Sequence, residues 1–341
     1  MPAVTIRDVA AEAGVAIATV SRVVHGHPQV GPGLRARVEK AMADLGYQPD
    51  ATAQAMRTRS TRTIACAVRD SSIPEFATFT RAAEAVMRDA GYTLMLANTD
   101  EDTAQELDLI KVLGRRRVDG LLMTRSDDSD PAVGAALAKL GIPVVYIDRD
   151  AEHGADSVVL DHAAGMRAAI DHLVDGGHRR IALVTGRPSM RPARQRLAAY
   201  EASLADHGLP IDRTLIAADS FYADQSLHRV LGMLDATPPP TAIIAGGMAL
   251  LPAVLRGVRQ RGLQVGRDVA VVAGCDSELA ELATPSVTAI RWNVPAWGRR
   301  AAELLLETLS SSQRRTGPGR EIVLPTELVV RESSGDGQSP I

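Results

Sequence analysis

At 341 residues, 45% hydrophobic and 23% charged, the chain holds enough apolar material for about two domains and is too apolar to be disordered. Its two cysteines, Cys66 and Cys275, exclude a disulfide framework and a four-cysteine zinc site, and no apolar run approaches the ~18 residues of a membrane span. The formal charge of −3 is uneven: residues 1–62 carry eight Lys and Arg against five acids, the rest 30 against 36. A small basic head on an acidic body points to an anionic partner for the head. The opening MPAVTIRDVAAEAG has acidic residues and no basic-then-apolar run, so no signal peptide and a cytoplasmic location are expected.

The head reads as three short helices. Ile6, Val9, Ala10 and Ala13 recur at helical spacing, with Thr5 as N-cap, Asp8 as the capping-box acid and Gly14 as the stop. Ile17, Val20, Val23 and Val24 mark a second face that Pro28 ends. Gly31-Pro32 opens a third helix with the inner stripe Leu34, Val38, Ala41, Met42 and Leu45, closed by Gly46. Three helices in about forty residues, the first two joined by a tight turn, is helix-turn-helix spacing. Residues 47–63 read as a linker. Within it, Ala51 to Arg57 is long enough only for a helix that needs a partner to form.

The pattern then alternates. Apolar strand candidates are 64–68, 93–97, 120–123, 144–147, 157–160, 181–184, 242–245 and 269–273. Helical stretches at 76–90, 103–116, 163–175, 191–206, 223–235 and 249–261 separate them. Unalternating apolar runs between helices predict parallel sheets covered on both faces. About 270 residues of this pattern is too much for one simple sheet, so two similar lobes are expected. Residues from Glu332 lack apolar pattern and are expected to be disordered.

The head carries T-I-x-D-V-A-x-x-A-G-V-x-x-x-T-V-S-R-V at 5–23 and R-x-R-V-x-x-A-M-x-x-L-G-Y-x-P at 35–49. This resembles the headpiece of the LacI/GalR family of bacterial transcription regulators. Later segments agree, including GYTLMLANTDED (91–102), IPVVYIDR (142–149), GGHRRIALVTG (176–186) and GRDVAVVAGCD (266–276), so the resemblance spans about 4–330. It implies an all-α helix-turn-helix headpiece plus an α/β two-lobed periplasmic-binding-protein-like effector domain. The expected boundaries are 1–49 for the headpiece, 50–62 for hinge helix and linker, 63–331 for the effector-binding and dimerisation domain, and 332–341 for the tail.

By resemblance, Ile17, Ala18 and Arg22 take base-reading places at the start of the second helix. Arg22 can give a bidentate pair to guanine, whereas Ile17 and Ala18 can read only apolar edges such as a thymine methyl. The alternative for Ile17 is inward packing with Val20 and Val24. Thr5, Thr19, Ser21, His25 and Tyr47 take phosphate-contacting places, though Thr19 can equally be a solvated helix residue. Met56 takes the place of an apolar wedge in the minor groove, with Arg57 near phosphate; a solvated linker is the plainer alternative. Ala16, Gly31, His25 and Asp50 depart from the family's Ser, Ser, Asn and Asn.

The resemblance also places an effector cleft between the lobes. Arg196 and Asp276 match its effector-binding arginine and aspartate, Phe221 a ring-stacking place, and Asp148 lies at a strand end. Glu75 of IPEF stands where an aromatic ring is commoner, next to Phe76, and Met248 where Asp or Asn is common. Trp292 either supplies a compensating wall or caps the lobe crossover. For Arg196 and Asp148 the alternative is a surface ion pair, for Phe221 core packing. A near-palindromic operator read by two heads demands a homodimer, with helices at 76–90 and 103–116 as candidate contacts.

No G-x-G-x-x-G, Walker lysine, G-x-S-x-G or H-E-x-x-H motif is present, so neither an enzyme, a cofactor nor a metal is expected. The other rival, a transporter's solute-binding protein, would need a secretion signal and would have no basic head. The sequence therefore reads as a DNA-binding transcriptional regulator, expected to be a repressor, whose partners are double-stranded operator DNA and a small-molecule effector such as a sugar.

Overall fold

The structure, a computed structural model, describes residues 4–24, 27–48, 60–152, 154–311 and 317–334. It divides into two units, 1–61 and 62–341.

The first unit holds α1 (Ile6–Glu12), α2 (Ile17–Val24) and α3 (Pro32–Leu45). Val9, Ala10, Ala13, Val20, Val23, Val38 and Ala41 are buried together, so the helical stripes close on one small core. The N-terminus of α1 is held as expected: the Thr5 backbone N–H and hydroxyl both donate to Asp8 Oδ2, at 2.8 and 2.7 Å. Pro32 starts α3, and Gly46 ends it at φ 62°, a left-handed conformation that suits glycine.

The second unit begins with β1 (Thr63–Val68), α4 (Pro74–Asp89), β2 (Thr93–Asn98), α5 (Thr103–Arg116), β3 (Gly120–Met123), α6 (Pro131–Leu140), β4 (Val144–Ile147) and β5 (Asp156–Leu160). There follow α7 (His162–Asp175), β6 (Ile181–Thr185), α8 (Arg191–Asp206), β7 (Ile216–Ala218), α9 (Ala223–Leu234), β8 (Ala242–Ala245), α10 (Leu251–Gln260), β9 (Ala270–Ala273), α11 (Glu278–Leu282) and β10 (Thr288–Arg291). The chain ends in α12 (Val294–Ser310), β11 (Glu321–Leu324) and β12 (Glu327–Val329).

Among the described residues the strands form two six-stranded sheets, β11-β5-β4-β3-β1-β2 and β12-β10-β9-β8-β6-β7. Every pair is parallel except β10–β12. Two lobes result, and the chain passes between them after β5, after β10 and between β11 and β12. Central strands such as β3 and β8 are buried throughout, which is why they read as unbroken apolar runs. β7 and β10–β12 were not among the expected strands. β11 and β12 are short and half-exposed, so they carry no such run. In the first lobe α12 lies close against α4. A Cβ on Gly298 would come within 2.3 Å of the Phe79 carbonyl oxygen, so the glycine permits that approach.

One expectation is corrected. Residues 332–334 are not a loose tail: Ser333 is fully buried, its N–H donates to Ser286 O and its hydroxyl donates to Val271 O at 2.6 Å. Backbone and hydroxyl bonds, not apolar side chains, hold this segment, so hydropathy does not reveal it. Residues 335–341 lie outside the described residues.

Candidate functional site

The head presents α2. Ile17 is 45% exposed at its first position, and Ala18 and Arg22 are exposed beyond it. Ile17 therefore does not pack inward: Val20 and Val23 fill the core from that helix, and Ile17 faces away. Thr19 and Ser21 are half-buried, and Tyr47 packs its ring against the head core. The Thr5 hydroxyl donates to Asp8, which gives it a capping role in α1. His25, Met56 and Arg57 lie outside the described residues, as does the expected hinge helix.

In the second unit the carboxyl ends of both sheets face one cleft, at the points where strand order reverses: β1 between β2 and β3 in one lobe, β6 between β7 and β8 in the other. Residues just after strands line it: Arg69 after β1, Thr124 after β3, Asp148 and Arg149 after β4, Gly247 and Met248 after β8, Cys275 after β9. The first turn of α4 adds Glu75 and Phe76, α8 adds Arg196, and Phe221 and Trp297 complete the walls. The free space between them is only about 50 Å³.

The charges in the cleft divide into paired and unpaired. Arg69 Nη1 meets Glu101 Oε1 at 2.9 Å, and the Arg69 guanidinium lies 5.4 Å from the Phe221 and Tyr222 ring centres. Asp148 sits at φ 53°, where its carboxylate accepts from His162 Nε2 at 2.7 Å and Leu160 N–H at 3.3 Å. Burial alone would raise the Asp148 carboxyl, but His162, Arg149 and Arg196 outweigh it and hold it at about 2. Burial lowers His162, so a neutral ring donates to an ionised carboxylate. Arg149 spends its donors on the carbonyls of Arg125 and Asp148 and lies 3.6 Å from Asp128. Glu75 and Arg196 differ: among the described residues neither makes a hydrogen bond or an ion pair. Burial pushes the Glu75 carboxyl up to about 7, against the pull of Arg196, and burial likewise lowers Arg196.

Phe221 is placed by glycines. A Cβ on Gly186 would fall 2.2 Å from its ring and one on Gly247 2.8 Å, so only glycine leaves room for the ring against these loops. Cys275 is buried and its thiol is raised well above its ordinary range, which makes it an inert wall.

Of the sequence-expected effector residues, Glu75, Phe76, Asp148, Arg196, Phe221 and Met248 line this cleft, and two do not. Asp276 is turned away: both its oxygens accept from Arg331, at 2.8 and 2.9 Å, and Arg331 also donates to Val287 O. Trp292 lies edge-on to His162, 6.1 Å between ring centres, and lines a separate groove with Pro295 and Pro325 at the lobe crossover. The sequence reading missed Arg69, Glu101, Arg149 and Trp297. For Arg69 and Arg149 the signal was present, since Arg69 directly follows an apolar strand run and Arg149 comes two residues after one.

Beside the cleft the lobes are tied by charge. Arg191 of α8 reaches Asp150 at 2.9 Å and Glu321 at 2.8 Å, and Arg194 pairs with Asp150. The Arg191 N–H also donates to Asp128, whose carboxyl burial pushes up to about 6. Among the described residues no helix is long and apolar enough to cross a membrane, and no three His, Cys, Asp or Glu gather to hold a metal.

Comparison with known proteins adds the following. Residues 5–50 match the family model of bacterial regulatory proteins of the lacI family, and 170–334 that of a periplasmic binding protein-like domain. The chain is 34% identical over 337 residues to the HTH-type transcriptional regulator CelR of Thermobifida fusca, covering 96% of this chain and 98% of that one. It is 31% identical to the ribose operon repressor of Escherichia coli K12, covering 90% and 93%. Among solved structures it is similar to a CelR–cellobiose complex, with TM-score 0.73, 32% identity and 97% and 99% of the two chains covered. It is also similar to the lac repressor dimer bound to operator and the anti-inducer ONPF, with TM-score 0.83, 27% identity and the same coverage.

Proposed function

Because the chain belongs to the lacI family of bacterial regulatory proteins, we propose that it is a repressor that binds a specific operator as a homodimer and changes its operator affinity when a small metabolite enters the cleft. The observation that carries this reading is α2, which offers Ile17 and Ala18 at its start and Arg22 in its last turn to solvent. A helix of this size fits the major groove, and such side chains meet base edges. An apolar residue left 45% exposed there gains burial against thymine methyls.

The cleft supports the effector half of the proposal. It sets a buried, unpartnered arginine among aromatic and aliphatic walls, the lining that small-molecule sites use. About 50 Å³ holds one or two waters but no sugar, so a ligand enters only when the lobes part. Effector binding then shifts the balance between lobe arrangements, and the linker at 50–57 passes that shift to the DNA. The lac repressor structure is a dimer on operator. Here Leu279 and Leu282 on α11, 44% and 77% exposed, offer apolar surface for a second copy.

The test is selection of bound sequences from random duplex DNA with the full chain at near-physiological salt. A palindrome is expected, and no enriched motif with or without added metabolites would sink the proposal. Arg22→Ala should cost about 1–3 kcal/mol at one base pair of each half-site and relax selectivity there. A uniform loss across all sequences would make Arg22 a phosphate contact instead.

A further inference from the structure

Among the described residues, Glu75 and Arg196 are the two cleft charges with no hydrogen-bond or ion-pair partner, and they come from opposite lobes. Around them the charges are matched by geometry. Arg69 is bound to Glu101 at 2.9 Å, Arg149 lies against Asp128, and neutral His162 donates to Asp148. Asp148 supplies the strongest attraction that Arg196 feels, with Glu75 second. Once Arg196 is balanced by Asp148, the Glu75 carboxylate is left over. Among the described residues nothing donates to it, and burial penalises its charge. Apolar groups flank the pair: Phe76, Phe221, Met248 and Trp297.

We propose that Glu75 sets effector selectivity: facing Arg196 across the cleft, it requires a ligand that brings a hydrogen-bond donor, a hydroxyl or an ammonium, and it excludes anionic ligands such as sugar phosphates and sugar acids. A hydroxyl of an uncharged polyol can accept from Arg196 and donate to Glu75, and the aromatic and aliphatic walls take the C–H face of the ring. An ammonium satisfies Glu75 more fully, because it also supplies the missing positive charge. Above about pH 7, where Glu75 is ionised, an anion would satisfy Arg196 but would sit beside the Glu75 and Asp148 carboxylates in a site of low dielectric. Arginine alone would favour anions, and the carboxylate opposite reverses that preference.

The inference rests on the proposed effector cleft, and the experiment separates the two. Calorimetric titration of the full-length protein at pH 8, where Glu75 is ionised, compares four groups of probes: neutral mono- and disaccharides, amino sugars, sugar phosphates and sugar acids. Binding by neutral or amino sugars is expected, with affinity reduced about ten-fold in Glu75→Gln. A stronger loss for the amino sugar identifies the ammonium as the group read, and an equal loss identifies the hydroxyl. Tighter binding of a phosphorylated or acid sugar by the wild-type protein would overturn the inference while leaving the effector cleft standing. A second arm uses inorganic phosphate and thermal stability. Glu75→Gln should gain stabilisation by phosphate that the wild-type protein lacks, and Glu75→Gln with Arg196→Gln should lose it. If no sugar binds, that gain upholds Glu75 as an anion filter and removes the sugar reading of the cleft. No gain in the single variant would overturn the inference itself.

Discussion

The head and the cleft break the burial rule in opposite directions. On α2 an isoleucine is held out in solvent; in the cleft a buried arginine faces a half-buried glutamate, and among the described residues neither has a hydrogen-bond or ion-pair partner. Each arrangement costs stability in the free protein, and each is relieved only when something else arrives. By contrast, the Arg331–Asp276 pair is matched on both oxygens, and the Arg69–Glu101 pair is closed at 2.9 Å. The difference separates charge that holds the fold from charge that waits for a ligand. Charge and position in the sequence do not make that separation, because Asp276 and Arg196 both matched the family's effector positions.

The largest expected effect tests that separation. Asp276→Ala leaves Arg331 with no carboxylate in a mostly buried setting, which should cost about 3 kcal/mol of unfolding free energy. Arg196→Gln removes a buried charge that makes no ion pair among the described residues; relief of its burial offsets the lost attraction to Asp148, so stability should change far less than in Asp276→Ala while the effector response is abolished. Denaturant unfolding of both variants, read beside DNA release by effector, checks this. Equal destabilisation by both would show that Arg196 is part of the frame.

Much of this was legible in the sequence, for physical reasons. The buried strands read as apolar runs because parallel strands between helix layers have no wet face, and β3, β4 and β8 lie at the expected residues. The head was legible because capping residues and helical stripes are local. Thr5, Asp8, Pro32 and Gly46 act within a few residues of themselves. The cleft was half legible. Which wall a side chain joins depends on contacts across many residues, such as Asp276 with Arg331 or Asp148 with His162, and no local pattern encodes these. Asp161 and His162 show the same limit: neighbours in sequence, they part, one capping α7 and the other turning to Asp148.

A middle-sized effect sharpens the cleft side of the comparison. The Glu75 carboxyl is raised from the ordinary 4.5 to about 7 by burial. Below pH 4.5 it is protonated in folded and unfolded chains alike and contributes no pH-dependence. Between 4.5 and 7 the unfolded chain releases the proton first, so stability falls as pH rises, and above 7 the loss is complete. At about 1.4 kcal/mol per pKa unit it amounts to about 3 kcal/mol. Glu75→Gln should therefore be more stable than wild type at pH 8 by that amount and equal to it near pH 4. Asp128, shifted in the same direction, is common to both proteins and cancels. Superimposed stability profiles would mean that Glu75 has an ordinary environment.

The smallest effect concerns the head. Gly31 is the N-cap of α3 and provides no side-chain bond, and Ala16 directly precedes α2 and receives the first N–H groups of that helix on its carbonyl. Both family departures thus fall at helix starts that lack a side-chain acceptor. Ala16→Ser with Gly31→Ser should add about 1 kcal/mol to head stability, most of it at position 16, because serine replaces alanine there and only glycine at 31. Gly31 has φ −59° and open space around a Cβ, so serine fits without strain. If these hydroxyls face phosphates, as the family's serines at these places imply, operator binding should tighten as well. Capping alone predicts a higher head melting temperature with unchanged affinity. Phosphate contact predicts tighter binding on every sequence, with selectivity unaltered. Measured together, the two quantities show whether serine at 16 and 31 acts through helix capping or through contacts to DNA.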